Sequence, residues 1–314
     1  MWQLISGLFL GWSLGSNDAA NVFGTAVASR MVHFWTAAFL CAFFVLLGAV
    51  LEGEAGMHTY QELSVMTPNT AFIVGLAAAL TVTFMSFLAL PVSTSQAVVG
   101  AMVMVGILQS TLKTGALVKV VLCWIGTPIG AAIITIILYY SIGKLMNRLH
   151  LTMFEYDRYI RWGLIVAGSY GAYALGANNV ANVTGAFVGE NMLTAREACL
   201  YGGLAIGVGV MTYSRKVMMT VGKGLVSLDA FTAFVAILSE ALTVHFYAIV
   251  GVPVSTSQAI VGAVLGVGIL KGVQTINKGM LTRILFGWLG TPAIAAGVAY
   301  TFYNLMSVTN FINP

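Results

Sequence analysis

Two polar motifs, each present twice, contain the residues that could do chemistry in this chain. The first reads GSNDAANVFGT at 15–25 and GANNVANVTGA at 176–186, and the second reads PVSTSQA at 91–97 and again at 253–259. Asn and Asp side chains supply the oxygen ligands that hard cations prefer, whereas hydroxyls and free main-chain N–H groups bind oxyanions. The chain therefore repeats one set of binding groups at a fixed spacing.

The PVSTSQ segments have the composition of an anion-binding helix start. Proline followed by Ser-Thr-Ser just before an apolar run supplies unpaired N–H groups, hydroxyl donors and the positive end of a helix dipole. Two such tips that converge would hold one tetrahedral oxyanion without a lysine or an arginine. Co-bound cations must then balance the charge, and a doubly charged anion requires at least two sodium ions.

The Asn-rich motifs supply cation ligands near the middle of a membrane. Asn17 and Asp18 lie about 15 residues into the first apolar segment, which is near the bilayer centre at 1.5 Å per residue. An Asp at this depth costs about 2.5–3.5 kcal/mol on insertion scales, so it needs a partner, and a cation such as sodium suits it. The glycines that flank the motifs are expected to let the helices unwind and expose main-chain carbonyls. These glycines are Gly15, Gly24, Gly176 and Gly185.

Glu240 is the other carboxylate expected inside a membrane segment, and it is predicted to be a further sodium ligand. Its counterpart in the first half is Ala78, so no repetition supports it. Single Asn or Asp residues in membrane helices also serve as contacts between helices, worth about 0.6 kcal/mol each. A single Pro-Ser-Thr-Ser is commonly a plain helix cap. The occurrence of both motifs in both halves favours binding over these structural roles.

The composition is that of an integral membrane protein. Of the 314 residues, 59% are apolar and only 8% are charged, far below the roughly 25% charged residues of soluble domains. The basic residues form no stripe beside aromatic platforms, which argues against nucleic-acid binding despite the net charge of +4. No cofactor is expected besides sodium ions as co-substrate.

Apolar segments recur in the same order in the two halves. Segments long enough to cross a bilayer are expected at 4–28, 33–51, 70–90, 116–143, 162–188, 195–213, 229–251 and 280–305. The pieces at 96–109 and 258–270 are shorter, and each is predicted to return from the tip of a hairpin that enters the membrane and turns back. The expected fold is an all-α membrane protein in which each repeat has transmembrane helices plus a re-entrant helical hairpin.

The repeats are predicted to have inverted topology. Each has either three full crossings plus the re-entrant hairpin or five full crossings, and both numbers are odd. The first repeat is assigned to 1–145, a short cytoplasmic linker to 146–160, and the second repeat to 161–314. Eleven of the 14 lysines and arginines fall on one side, which makes that side cytoplasmic and places both termini outside. The acidic segment around Glu54 is expected to be an external loop. WIGTP from Trp124 and WLGTP from Trp288 are interpreted as kinks in long scaffold helices.

Two other functional classes fit less well. An intramembrane hydrolase would need a base beside one of the repeated serines, and only His245 falls inside an apolar segment. A channel could also be lined by two hairpins. The site residues are strong hydrogen-bond acceptors and donors for a single dehydrated ion. Such tight binding is typical of a carrier rather than of a channel.

The repeated motifs resemble those of the inorganic phosphate transporter family, the PiT type of sodium- or proton-coupled phosphate permeases. The resemblance covers nearly the whole chain and implies an inverted-repeat fold, phosphate as substrate, cation symport across the plasma membrane and a homodimer. The residues that it assigns to phosphate are Ser93, Thr94, Ser95, Gln96, Ser255, Thr256, Ser257, Gln258, Asn21 and Asn182. Those that it assigns to sodium are Asn17, Asp18, Asn21, Ser93, Asn178, Asn179, Asn182 and Ser255, to which the residue analysis adds Glu240.

The chain departs from the family pattern at a few positions. Family members usually have Asp in both motifs, whereas the second motif here has Asn179 and therefore one negative charge fewer. The expected mechanism is alternating access driven by sodium, with the hairpins as gates. Related sulfate permeases share the fold, so a proton-coupled phosphate or sulfate permease is the alternative.

Overall fold

The protein is helical throughout the part that the computed structural model describes, which comprises residues 2–87, 92–189, 192–221, 228–272 and 276–308. The helices are α1 (Leu4–Ala28), α2 (Phe34–Glu52), α3 (Glu54–Leu63), α4 (Pro68–Phe87), α5 (Thr94–Leu108), α6 (Thr114–Arg148), α7 (Met153–Thr184), α8 (Ala195–Val221), α9 (Ala230–Val250), α10 (Thr256–Lys271) and α11 (Lys278–Val308). Pro91, the first residue of one PVSTSQ tip, lies outside the described residues. So do residues 88–90, the end of one predicted crossing.

Within the described residues, five helices are long and apolar enough to cross a membrane by length and composition: α2, α4, α6, α9 and α11. The apolar helices α5 and α10 are shorter, as expected for the segments that follow the tips. The chain is a multi-pass membrane protein. Its helices follow the apolar segments predicted from the sequence, and the turn between the two halves is confined to residues 149–152.

The two halves of the chain pack against each other through reciprocal helix contacts. A Cβ atom added to Gly48 of α2 would lie 2.0 Å from the carbonyl oxygen of Tyr173 in α7. The equivalent atom on Gly209 of α8 would lie 2.1 Å from the carbonyl oxygen of Trp12 in α1. Both pairs are related by the same shift of 161 residues (48 to 209 and 12 to 173). Only glycine allows these backbones to approach so closely.

The predicted unwinding is wrong at the first Asn-rich motif and at Gly176. Helix α1 runs through the whole first motif, and α7 runs through the second as far as Thr184, after which Gly185–Phe187 form a 3₁₀ turn. Gly15 and Gly176 serve packing instead, since a Cβ on Gly15 would lie 2.0 Å from the carbonyl oxygen of Ile206, and one on Gly176 would lie 2.0 Å from that of Val45. The motifs therefore offer side-chain oxygens rather than exposed main-chain carbonyls.

Two helix pairs, α4 with α5 and α9 with α10, have their open ends close together. Beside the start of α4, Ser64 and Thr111 share a hydroxyl hydrogen bond of 2.8 Å, and the amide of Lys113 donates to the carbonyl of Leu63 at 3.0 Å. At the open end of the second pair, Lys271 Nζ is 2.7 Å from Asp229 Oδ2. The first and last residues of each pair therefore lie side by side.

The long helices α6 and α11 hold the short helices of the opposite half. Each is continuous through its proline, Pro128 or Pro292. A Cβ on Gly262 of α10 would lie 2.2 Å from the carbonyl oxygen of Pro128, and one on Gly100 of α5 would lie 2.3 Å from that of Pro292. The Gly-Thr-Pro segments are therefore contact points for the helices behind the tips.

The acidic segment predicted to be a loop contains helix α3. Gly56, Met57, Thr59, Tyr60 and Leu63 are buried on one side of this helix. Spacings of three and four residues among them are those of a single helical face. Helix α3 is therefore packed on the rest of the molecule.

Replacement of Gly48 by alanine tests the close contact between the halves. We expect Gly48→Ala to lower the free energy of unfolding by about 1–3 kcal/mol, because the added methyl group must displace the backbone of Tyr173. Thermal unfolding of the detergent-purified protein measures the effect. Gly130→Ala is the control, since a Cβ there has no neighbour within 4 Å. A Gly48→Ala protein as stable as the control would contradict the packing.

Candidate functional site

The tip before α10 is fixed by the second Asn-rich motif. Ser255 caps α10, because its hydroxyl accepts a hydrogen bond from the amide of Gln258 at 3.2 Å. Asn178 holds the preceding residues: its Oδ1 accepts from the amide of Val254 at 2.9 Å, and its Nδ2 donates to the carbonyl of Val252 at 3.2 Å. Both functional ends of Asn178 thus bind the backbone of the tip.

The tip before α5 is built in the same way and contacts the other tip. The hydroxyl of Ser93 accepts from the amide of Gln96 at 3.4 Å and lies 3.2 Å from the hydroxyl of Ser95. Ser257, from the other tip, donates its hydroxyl hydrogen to the carbonyl of Val92 at 3.1 Å. The starts of α5 and α10 therefore meet directly.

The first Asn-rich motif faces this meeting point. Thr256 Oγ1 donates to Asp18 Oδ2 at 3.0 Å. Asn21 Nδ2 lies 3.2 Å from the hydroxyl oxygen of Ser257 and 3.4 Å from that of Thr256. Asp18, Asn21 and both tips thus form one buried polar cluster that joins residues from the two halves.

The second motif is covered by α3, a contribution that the sequence analysis missed. Asn182 Nδ2 donates to Asn179 Oδ1 at 2.6 Å, and the hydroxyl of Tyr60 donates to Asn182 Oδ1. Thr59 also donates to the carbonyl of Gly251 at 2.5 Å, beside the tip. The helical spacing of Gly56, Tyr60 and Leu63 was the signal that could have revealed a buried face in this segment.

Asn17 does not join the contacts between the tips and the first motif. Its Nδ2 donates to the hydroxyl of Ser86 in α4 at 2.7 Å. This hydrogen bond connects α1 to the helix that precedes the first tip. Ser86 is a second partner that the sequence analysis did not identify. No motif indicated it, because it is one of several hydroxyl residues in an apolar helix.

Several buried polar atoms of the predicted site have no hydrogen-bond partner. They are Asp18 Oδ1, Thr94 Oγ1, Gln96 Oε1, Asn179 Nδ2, Glu240 Oε1, Glu240 Oε2 and Gln258 Oε1. Unpartnered polar atoms are costly in an apolar interior. Carboxylate and amide oxygens can only accept hydrogen bonds or coordinate cations. The site is therefore chemically suited to a cation or to a ligand that donates hydrogen bonds.

Glu240 belongs to this region although it lies on α9. Its side chain is fully buried, and a Cβ on Gly171 of α7 would lie 3.2 Å from Glu240 Oε2. Helix α9 also packs against α1, the helix that carries Asp18. Among the described residues no three His, Cys, Asp or Glu side chains cluster around a possible metal position. A cation here would therefore need amide or hydroxyl oxygens beside these two carboxylates.

His245 is not placed to activate a serine of the tips. Its Nε2 lies 2.7 Å from Glu52 Oε2, and its Nδ1 lies 2.7 Å from the hydroxyl of Tyr170. Both ring nitrogens are thus occupied by groups outside the site. His245 is therefore not placed as the base that the hydrolase interpretation named.

Comparison with known proteins identifies the family of this chain. A sequence profile described as the phosphate transporter family matches residues 14–299. The chain belongs to this family. The resemblance inferred from the repeated motifs is thereby confirmed, and the family is one of transporters rather than of enzymes.

Individual members of the phosphate transporter family are similar over most of their length. A protein of Methanocaldococcus jannaschii that bears the name of a phosphate permease is 30% identical over 298 residues, which is 95% of this chain and 95% of that protein. The sulfate permease CysP of Bacillus subtilis is 28% identical over 311 residues, or 96% of this chain and 86% of the permease. A solved structure of a sodium-dependent phosphate transporter matches 98% of this chain and 100% of its own with a TM-score of 0.85 and 23% identity. This likeness shows the fold.

Replacement of Asn178 by alanine tests its hold on the tip. We expect Asn178→Ala to destabilise the protein by about 2–4 kcal/mol, because a buried amide and a buried carbonyl of the tip lose their partner. Asn304→Ala is the control, since Asn304 makes an exposed hydrogen bond within α11. Thermal unfolding compares the two variants. Equal stability would show that Asn178 does not fix the tip.

Proposed function

We propose that this member of the phosphate transporter family is a secondary active transporter that carries inorganic phosphate together with sodium ions across the plasma membrane. The observation that carries the proposal is the meeting of the two Ser-Thr-Ser tips with Asp18 in one buried cluster. Helix starts supply the donors that a phosphate needs, and the unpartnered oxygens supply acceptors for cations.

Phosphate would bind at the starts of α5 and α10. The proposed ligands are the hydroxyl and main-chain N–H groups of the tips, with Gln96, Gln258 and Asn21 beside them. A phosphate protonated at neutral pH can also donate a hydrogen bond to a free acceptor such as Asp18 Oδ1. This donor distinguishes it from sulfate, which is fully deprotonated.

Sodium ions would offset the repulsion between bound phosphate and the nearby carboxylates. A phosphate dianion beside Asp18 and Glu240 would be repelled by both carboxylates in a medium of low polarity. Sodium ions bound to these carboxylates and to Asn21 would reverse that repulsion. Phosphate affinity should therefore depend on sodium. Asn178 and Asn17 are weaker candidates than the sequence suggested, because their side chains bind Val252, Val254 and Ser86.

Alternating access follows from an inverted arrangement of the repeats. In support, the equivalent helices α1 and α7 run antiparallel: Gly7 lies against Val183, whereas Gly168 lies against Phe23 near the other end of α1. Each helix pair that carries a tip would then be a re-entrant hairpin, and the two hairpins would enter from opposite sides. Their tips would close the path to the two sides in turn. Both termini would face outward, and we expect a homodimer.

A proton-coupled phosphate or sulfate permease is the second candidate. Two observations favour it: the sulfate permease CysP of Bacillus subtilis is 28% identical, and both oxygens of Glu240 lack a partner. A buried carboxyl group that lacks partners is also what a proton carrier requires.

Replacement of Asp18 by asparagine tests the coupling. Uptake of radiolabelled phosphate into proteoliposomes is measured with and without an inward sodium gradient. We expect sodium-dependent uptake that excess sulfate leaves intact, and a loss of at least about tenfold in Asp18→Asn, because the cation then loses its charged ligand. Asp157→Asn, an equal charge change on an exposed residue of α7, should retain full uptake. Uptake that needs a proton gradient and is abolished by sulfate would support the second candidate instead.

Glu240→Gln separates the two coupling ions. If Glu240 binds sodium, this variant should raise the sodium concentration for half-maximal uptake about tenfold or more while uptake keeps the same dependence on external pH. If Glu240 carries a proton, the pH dependence should disappear and the sodium response should not change. Glu62→Gln, on the exposed side of α3, is the matched control.

A further inference from the structure

We propose that the turn between the two halves forms a binding site for the phosphate headgroup of an anionic phospholipid, with an acyl chain lying along α6. The observations are a cavity that contains basic residues and a lipid-facing stripe that leads into it. Neither takes part in the proposed transport site.

The cavity lies between the end of α6, the start of α7 and the start of α9. Its volume is about 690 Å³, and its lining includes Lys144, Arg148, His150, Tyr140 and Tyr156. A phosphate ester fits this chemistry, since Lys and Arg supply charged donors and tyrosine hydroxyls supply neutral ones. The site is open on one side, as a lipid headgroup requires.

Lys144 and Arg148 of the cavity can bind an anion that is not part of the protein. The ion pairs in the described part of the chain do not include Lys144 or Arg148. The nearby acidic groups are Glu155, Asp157 and Asp229. Two of them have other partners: Glu155 binds the amide and hydroxyl of Thr152, and Asp229 binds Lys271.

Those two carboxylates are ionised in their own contacts. Hydrogen bonds from Thr152 lower the pKa of Glu155. Burial would raise the pKa of Asp229, but hydrogen bonds from Lys271 and Thr232 hold it below its usual value. Asp157 is the remaining acidic neighbour. Arg158 acts on Glu155 and Lys271 pairs with Asp229. Together with Lys144 and Arg148 these are four cations against three carboxylates, so a net charge of +1 remains around the cavity.

An exposed apolar stripe on α6 leads into the cavity. Its residues are spaced three or four positions apart, and each is 53–62% exposed. They are Val118, Leu122, Ile125, Ile129, Ile133 and Ile137. From first to last the stripe spans roughly 28 Å at 1.5 Å per residue, close to the thickness of the hydrocarbon core, about 30 Å.

The groups that follow the stripe match the order of a bilayer interface. Tyr140 comes one turn after Ile137, at the depth where aromatic belts lie. Lys144 and Arg148 continue the same face of α6. Side chains on a helix lean toward its N-terminus, so both cations point back from the end of α6 toward the membrane surface. A lipid phosphate at that depth can meet them.

Native mass spectrometry of the delipidated, full-length protein tests the site. The probes are dioleoyl phosphatidylglycerol, phosphatidylcholine with the same chains, and dihexanoyl phosphatidylglycerol. We expect preferential binding of the dioleoyl anionic lipid over both of the others. The double variant Lys144→Gln with Arg148→Gln should bind it about 25-fold more weakly, since each cation near a membrane surface contributes roughly fivefold. Lys278→Gln with Arg283→Gln, the same charge change at the start of α11, should bind as the unchanged protein does.

Four outcomes would overturn the proposal. Equal loss in the two double variants would indicate general charge attraction. Equal binding of the short-chain and long-chain lipids would remove the role of the stripe. Displacement of the lipid by millimolar inorganic phosphate would make the cavity a site for the free anion. Lipid adducts on monomers that are absent from dimers would identify the stripe as an interface between copies of the chain.

Discussion

The hydrogen bond from Thr256 to Asp18 joins the two halves of the chain at the level where all the polar motifs meet. It links the position of the α10 tip to a carboxylate whose other oxygen has no partner. A group that neutralises Asp18 changes the acceptor that Thr256 depends on, and a movement of the tip leaves Asp18 without its donor. Position and charge are thus coupled at one atom pair. Binding at this point can therefore be transmitted to the helices behind the tip.

The remaining structure keeps these polar groups together in an apolar surrounding. Glycines at the crossings allow backbones of opposite halves to touch, which brings the Asn-rich segments of α1 and α7 alongside the tips. Asn178 then fixes the backbone of one tip with both ends of its amide. Because no water is available in the hydrocarbon to satisfy a misplaced polar group, such complete pairing keeps the tip in place. The few atoms left unpaired stand out as the places where a ligand can contribute.

Much of the fold and of the site could be predicted from the sequence. Length and hydropathy give the membrane helices, since a span needs a continuous apolar segment, and the repeated polar residues indicate the candidate site. The sequence did not predict the role of a residue correctly where that role depends on a distant partner in the fold. Gly15 and Gly176 suggested flexibility because glycine disfavours helices, yet the opposing backbones at Ile206 and Val45 make them packing residues. Tyr60 was missed because its acidic neighbours made the segment resemble a loop, and its contact with Asn182 depends on a tertiary approach that no local pattern encodes.

Helix α3 would affect the energetics of transport under the alternating access proposed above. Its polar contacts include those with the second motif and its tip, through Tyr60 and Thr59. Residues 215–221, which correspond to the first part of α3, belong to α8 in the second half. Two identical halves would exchange roles at no net cost, so the states open to the two sides would be equally populated. An additional helix on one half removes that equality, and a difference of only about 1.4 kcal/mol makes one state tenfold more common than the other. If the repeats alternate as proposed, α3 would therefore give the empty carrier a preferred resting orientation.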